Sequence, residues 1–98
     1  MLYLKVKSIA LHLNKERAKE FVEVCRAHAE ASKKDEGNIE FKMKYILLPG
    51  AVKVTFIELW KDRAALEKHN KAAQGRDHIS KINEMRVYRE VIERETED

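Results

Sequence analysis

A chain with one cysteine cannot close a disulfide on itself, and Cys25 is the only cysteine among 98 residues. The same scarcity excludes a cysteine-based zinc cluster, and it points to a reducing, cytoplasmic setting. There is one proline and there are three glycines, so no glycine-rich phosphate loop can be assembled. No apolar run approaches the roughly 18 residues that a membrane span requires. The N-terminus, Met1 to Lys7, lacks the basic start and long apolar core of a secretory signal and alternates instead, as strands do. Acids and bases are interspersed, with a net charge of only +3, and no basic block is interleaved with aromatics. Nucleic acid is therefore not an expected partner. Neither a metal-ligand cluster nor a nucleophile–base triad motif is present, and no metal or cofactor is expected from the residues.

What is present is a strongly patterned soluble chain, 44% hydrophobic and 38% charged, of a length that suits one domain spanning residues 1–98. Residues 2 to 12 alternate as a strand with apolar members on both faces. Asn14 then caps a helix in which Ala18, Phe21, Val22, Cys25, Ala29 and Ser32 recur at three- and four-residue steps. That helix runs to about Lys33 and is stopped by Asp35-Glu36-Gly37. Two alternating runs follow, Ile39 to Leu48 and Val52 to Trp60, joined by the turn signal Pro49-Gly50. Pairing Leu48 with Ala51 sets Tyr45 against Val54, Met43 against Phe56, Phe41 against Glu58 and Ile39 against Trp60.

One face of this hairpin is apolar and aromatic except for Glu58. The other mixes Lys42, Lys44, Lys53 and Thr55 with Ile46, Leu48, Ile57 and Leu59. So much apolar surface on the mixed face calls for a partner sheet. A second helix starts at Asp62, breaks at Gln74-Gly75-Arg76 and resumes after Asp77. A final strand runs from Met85 to Ile92, and residues 93–98 read as a charged, solvated tail. The order is that of a ferredoxin-like βαββαβ fold of the α+β class, with a four-stranded antiparallel sheet.

The stretch Phe56 to His69 gathers the chemistry. Phe56, Glu58 and Trp60 share a strand face, and Ala65, Leu66 and His69 share a helix face immediately beyond. Two readings of each polar residue stand. Glu58 is either a carboxylate of raised pKa that accepts a phenolic proton, or a buttress that caps backbone donors or pairs with an arginine such as Arg86. Trp60 either stacks on a substrate or fills the core. His69 is either a general base or a residue of the cavity rim. Phe41, Phe56, Leu66 and Tyr45 are the candidate apolar lining, and core packing explains Tyr45 and Tyr88 equally well. His12 and His28 are expected to be structural or exposed, His78 to lie at the surface, and Cys25 to be an inert core thiol.

These residues resemble the antibiotic biosynthesis monooxygenase domain of the dimeric α+β barrel proteins. The likeness begins at Leu13-Asn14-Lys15-Glu16 with Phe21, and continues through Ser32 and Glu36-Gly37-Asn38-Ile39-Glu40-Phe41. It is most specific at Glu58-Leu59-Trp60-Lys61-Asp62 followed by Ala65-Leu66 and His69. The resemblance implies a homodimer in which two sheets pack face to face, with a ligand cavity between sheet and helices. It also implies a cofactor-free monooxygenase that uses dioxygen on a small aromatic phenol, quinol or anthrone, with His69 or Glu58 as the catalytic base. A non-catalytic ligand-binding dimer of the same fold is the alternative. Haem degradation comes third, because only His78 lies near the position of the haem-ligating histidine in haem-degrading relatives.

Overall fold

The structure, a computed structural model, describes residues 1–12 and 14–96. Its elements are β1 (Leu2–Leu11), α1 (Lys15–Ser32), β2 (Asn38–Leu48), β3 (Ala51–Trp60), α2 (Arg63–Gln74), α3 (Asp77–Met85) and β4 (Arg86–Glu95). The strands form one antiparallel sheet in the order β2-β3-β1-β4. This is the ferredoxin-like arrangement, with the second helix split in two. Leu13, within the helix-entry motif, and residues 97 and 98 of the expected tail lie outside the described residues. No helix among the described residues is long and apolar enough to cross a membrane.

Helices α1 and α2 each start where a side chain can satisfy the first orphan amides. Asn14 accepts a hydrogen bond from the Arg17 amide at 2.9 Å, and Asp62 accepts one from the Ala65 amide at 2.8 Å. The inner stripe of α1 buries Ala18, Phe21, Val22, Cys25, His28, Ala29 and Ser32. These pack on the sheet face made by Leu2, Leu4, Val6 and Ala10 of β1 and by Val52, Val54, Phe56 and Trp60 of β3. Burial pushes the Cys25 thiol up to about 12, which leaves it an unreactive core residue, as expected from its place on the helix.

The β2–β3 hairpin has the predicted register from Leu48↔Ala51 to Phe41↔Glu58. Gly50, at φ 74°, takes the left-handed position of the turn. The predicted Ile39–Trp60 pair does not form. A bulge places Asn38 opposite Trp60 and turns Ile39 outward, and the Asn38 side-chain amide donates to the Glu40 carbonyl at 3.2 Å. Just before it, Gly37 has φ 85°, and a Cβ there would collide with Ala65 at the start of α2. Its carbonyl accepts from the Lys61 amide at 2.8 Å, which ties the entry of β2 to the entry of α2.

The last strand differs from expectation at both ends. It continues through residues 93–95, predicted as tail, because Leu2, Tyr3 and Leu4 offer them a free edge of β1. A register shift opposite Ile9 and Ala10 bends its beginning. The helices pack chiefly on β2 and β3, so the inner face of β4 is left only partly covered. That gap is where the site forms.

Candidate active site

A cavity of about 530 Å³ lies between the sheet and helices α2 and α3. Its apolar wall includes Leu4, Val6, Phe56, Leu66, Ile79 and Ile82. Its polar groups include His28, Glu58, His69, Asn83, Arg86 and Arg89. A larger concavity of about 900 Å³ at the opposite end is lined by Leu11, His12, Asn14, Arg17 and Glu20. There Arg17 pairs with Glu20 at 2.7 Å, and His12 Nε2 lies 3.1 Å from the Ala51 carbonyl.

The strand-to-helix corner assembles as the alternation requires. Glu58 and Trp60 are two residues apart on β3, so both point toward the helices, and Trp60 Nε1 donates to Glu58 Oε1 at 2.9 Å. His69 of α2 lies against the indole, with ring centroids 4.5 Å apart and planes inclined by 34°. Burial pushes the Glu58 carboxyl up to about 7, against the opposing effects of the Trp60 hydrogen bond and the Arg89 charge. Of the alternatives open for Glu58, the ion pair with Arg86 does not form. Arg86 instead bonds Asn83 Oδ1 and lies 3.4 Å from Ser8 Oγ.

Of the predicted lining residues, Phe56 and Leu66 border the cavity together with Glu58 and His69. Trp60 and Phe41 do not border it. They are 0% and 2% exposed, sealed behind His69 and beneath α1, where they support the wall. Tyr45 is 48% exposed and lies toward the hairpin end of the edge strand β2. It lines a separate cleft with Lys5, Lys7, Lys44 and Lys53, so it is not brought to the corner.

Two residues not singled out for the site join the His69 corner. Asp35, in the turn after α1, places Oδ2 2.6 Å from His69 Nδ1. Arg76, in the break between α2 and α3, holds both oxygens of the same carboxylate, with Nη1 to Oδ2 at 3.1 Å. Burial works against the Asp35 charge, but the hydrogen bonds from Arg76 and His69 keep its carboxyl below the ordinary range. An ionised carboxylate only accepts, so the proton of the His69–Asp35 bond resides on His69 Nδ1. Burial lowers the His69 pKa and the Arg76 charge opposes the raising effect of Asp35, so the ring is neutral at pH 7.

His28, expected to be structural or exposed, is buried at 5% exposure and lines the cavity. Its ring meets Phe41 and Phe56 edge-on, and Nδ1 has no hydrogen-bond partner. Burial first, with the His69 and Arg76 charges adding to it, lowers its pKa to about 4. Its position on the inner stripe of α1 was visible in the periodicity; the cavity beneath it was not. Among the described residues no three histidine, cysteine or carboxylate side chains gather as a metal site.

The fold is a ferredoxin-like α+β sheet with a histidine–carboxylate pair at the wall of a cavity under its helices. The chain belongs to the antibiotic biosynthesis monooxygenase family, whose sequence profile matches residues 6–85. The fold is similar to a candidate antibiotic biosynthesis monooxygenase from Deinococcus radiodurans. The TM-score is 0.77 at 17% identity, over 100% of this chain and 94% of that one. It is also similar to SnoaB, a cofactor-independent oxygenase from Streptomyces nogalater, with a TM-score of 0.73 at 15% identity over 99% and 94% of the two chains. A conserved protein from Methanosarcina mazei is 24% identical over 99% and 95%, with a TM-score of 0.66. At these identities the likeness is one of fold. No curated protein sequence matches the chain.

Proposed function

We propose that the protein is a cofactor-independent monooxygenase of small aromatic molecules, in which a phenol, quinol or anthrone supplies the electrons to dioxygen. The observation that carries this reading is the 2.6 Å bond between Asp35 and His69 at the cavity wall. A carboxylate that fixes the proton on Nδ1 leaves the Nε2 lone pair as a base, in a ring that is neutral at working pH. Leu4, Val6, Phe56, Leu66 and Ile82 give a flat apolar ligand its contact surface and limit the access of water.

For an anthrone the steps balance as follows. His69 takes one proton from the activated CH₂, and the enolate carbon gives its electron pair to dioxygen, forming a C–O bond and a peroxide anion. Glu58, a carboxyl that still holds its proton near neutrality, protonates the distal oxygen. Loss of the second C–H proton then breaks the O–O bond, leaving a carbonyl on carbon and releasing water. One dioxygen is consumed per carbonyl formed. An oxygen electrode with anthrone is expected to record equimolar oxygen uptake and anthraquinone formation without free peroxide. No uptake above buffer with anthrone, 1,4-dihydroxynaphthalene or related quinols would end this reading.

We also infer that a second copy covers the helix-free face of the sheet, giving the dimeric α+β barrel. Ile46, Leu48, Tyr88 and Ile92 are exposed on that face, far more apolar surface than scattered single residues leave. A solution mass of two chains is expected at micromolar concentration; a monomer there would remove the inference.

A further inference from the structure

The cavity has a second pole. Arg86 and Arg89 both line it, although residues three apart on a regular strand face opposite sides of a sheet. They share a face because of the bulge at the start of β4. Ala10 pairs with Arg86 and Ser8 with Arg89, and both partners belong to the inner face of β1. The extra residue re-aims one guanidinium into the cavity beside another.

Among the described residues neither arginine has a carboxylate within ion-pair distance. Arg86 bonds only the neutral Ser8 and Asn83. The two acids that border the cavity are otherwise engaged: Glu93 pairs with Arg63 at 2.8 Å, and Glu58 bonds the Trp60 indole. Burial lowers the Arg86 pKa and the Arg89 charge lowers it further, as expected for two like charges close together. Two unpaired guanidiniums, set side by side at the cost of ladder regularity, are a receptor for an anion.

The position of this pole sets the shape of the ligand. Arg89 stands in the row of Ser8 and Val54, and Glu58 in the row of Leu4 and Glu93. Those rows are four residues apart along the strands, roughly 13 Å. The arginines therefore rise from the sheet some rows away from the Glu58–His69 corner, although the Arg89 charge still reaches Glu58.

We propose that Arg86 and Arg89 bind a carboxylate, so that the molecule taken is a fused-ring phenol or quinol with its acid group at the end remote from the reacting carbon. This rests on the oxygenase reading of the same cavity and adds a substrate class to it.

The probes are 6-hydroxy-2-naphthoate, which carries its hydroxyl and carboxylate at opposite ends, and 2-naphthol, which lacks the acid. In calorimetric titration the acid is expected to bind at least about tenfold more tightly than 2-naphthol, as charge-assisted bonds to arginine require. Arg89→Gln, at an exposed position that disturbs little packing, and Arg86→Gln should each remove that advantage and leave the 2-naphthol affinity unchanged. Equal binding of the two probes overturns the anion site and leaves the oxygenase reading standing. So does an acid affinity that survives both arginine variants and is lost in Lys44→Gln/Lys53→Gln, which would place the anion on the opposite sheet face. Binding of neither probe overturns both readings.

Discussion

His69→Ala is expected to lower the oxidation rate by about 10² to 10⁴-fold, the range that a positioned general base contributes. The effect should appear mainly in kcat, because the apolar wall that holds a flat ligand is untouched. Asp35→Asn is expected to reach a similar loss by a different route. An amide that turns its NH₂ toward Nδ1 selects the tautomer with the proton on Nε2, and the base is then blocked. Above about 7 the wild-type rate should fall as Glu58 loses the proton it donates, and below that it should rise with pH through a pKa below that of an ordinary histidine, as burial of the ring dictates. His69→Ala should erase that limb, and free imidazole should restore part of the rate. A variant with unchanged kcat and the same pH profile would show that His69 only supports the cavity rim.

The second large effect concerns stability, and it comes from two buried groups with opposite pH dependence. The Glu58 carboxyl titrates at about 7 in the folded protein against 4.5 for an unperturbed glutamate. Between those values the folded state holds a proton that the unfolded chain has lost. Glu58 therefore stabilises the fold at low pH, and its contribution falls as pH rises through 7. His28 titrates at about 4 against 6.5. Here the unfolded chain binds the proton, and stability is lost as pH falls from 6.5 through 4. Each span is worth on the order of 3 kcal/mol, and across pH 4.5–6.5 the two slopes oppose each other.

Single variants should separate them. Glu58→Gln keeps an acceptor for the Trp60 indole and removes the titration, so its stability relative to wild type should climb by about 3 kcal/mol from pH 4.5 to pH 8. His28→Gln should do the reverse, losing ground to wild type as pH rises over the same interval. His69 and Asp35, both shifted downward, act in the same sense as His28 and steepen the acid side. Urea midpoints at four pH values would settle the matter, and curves that stay parallel to wild type would refute the assignment of these two groups.

How far the sequence discloses all this depends on the kind of contact. The hairpin register was readable because a one-residue slip would expose every inward side chain, and the two N-caps were readable because asparagine and aspartate do that work locally. Alternation also put Glu58 and Trp60 on the inner face. It could not tell depth, so Trp60 and Phe41 were expected at the ligand and stand behind the wall instead. Asp35 reads as part of a helix stop, and nothing periodic links a turn to a histidine 34 residues away. Arg76 likewise reads as a break. The arginine pair escaped for a sharper reason. Strict alternation separates Arg86 from Arg89, and only a bulge, which leaves no mark in composition, reunites them. The strand at residues 93–95 looked like tail because its charges carry no alternation, yet the free edge of β1 orders it.

The strand order has a consequence for how the chain is made. β1 is synthesised first, but its neighbours in the sheet are β3 and β4, and its pairing with β4 brings Leu2 opposite Glu95. Only the β2–β3 hairpin closes over a short loop. On the ribosome, then, β1 keeps both edges open until β3 has emerged, and its second edge open until β4 follows. The hairpin is positioned to nucleate and β1 to dock onto it. β4 closes last, completing the arginine pole of the cavity after the histidine corner is already in place.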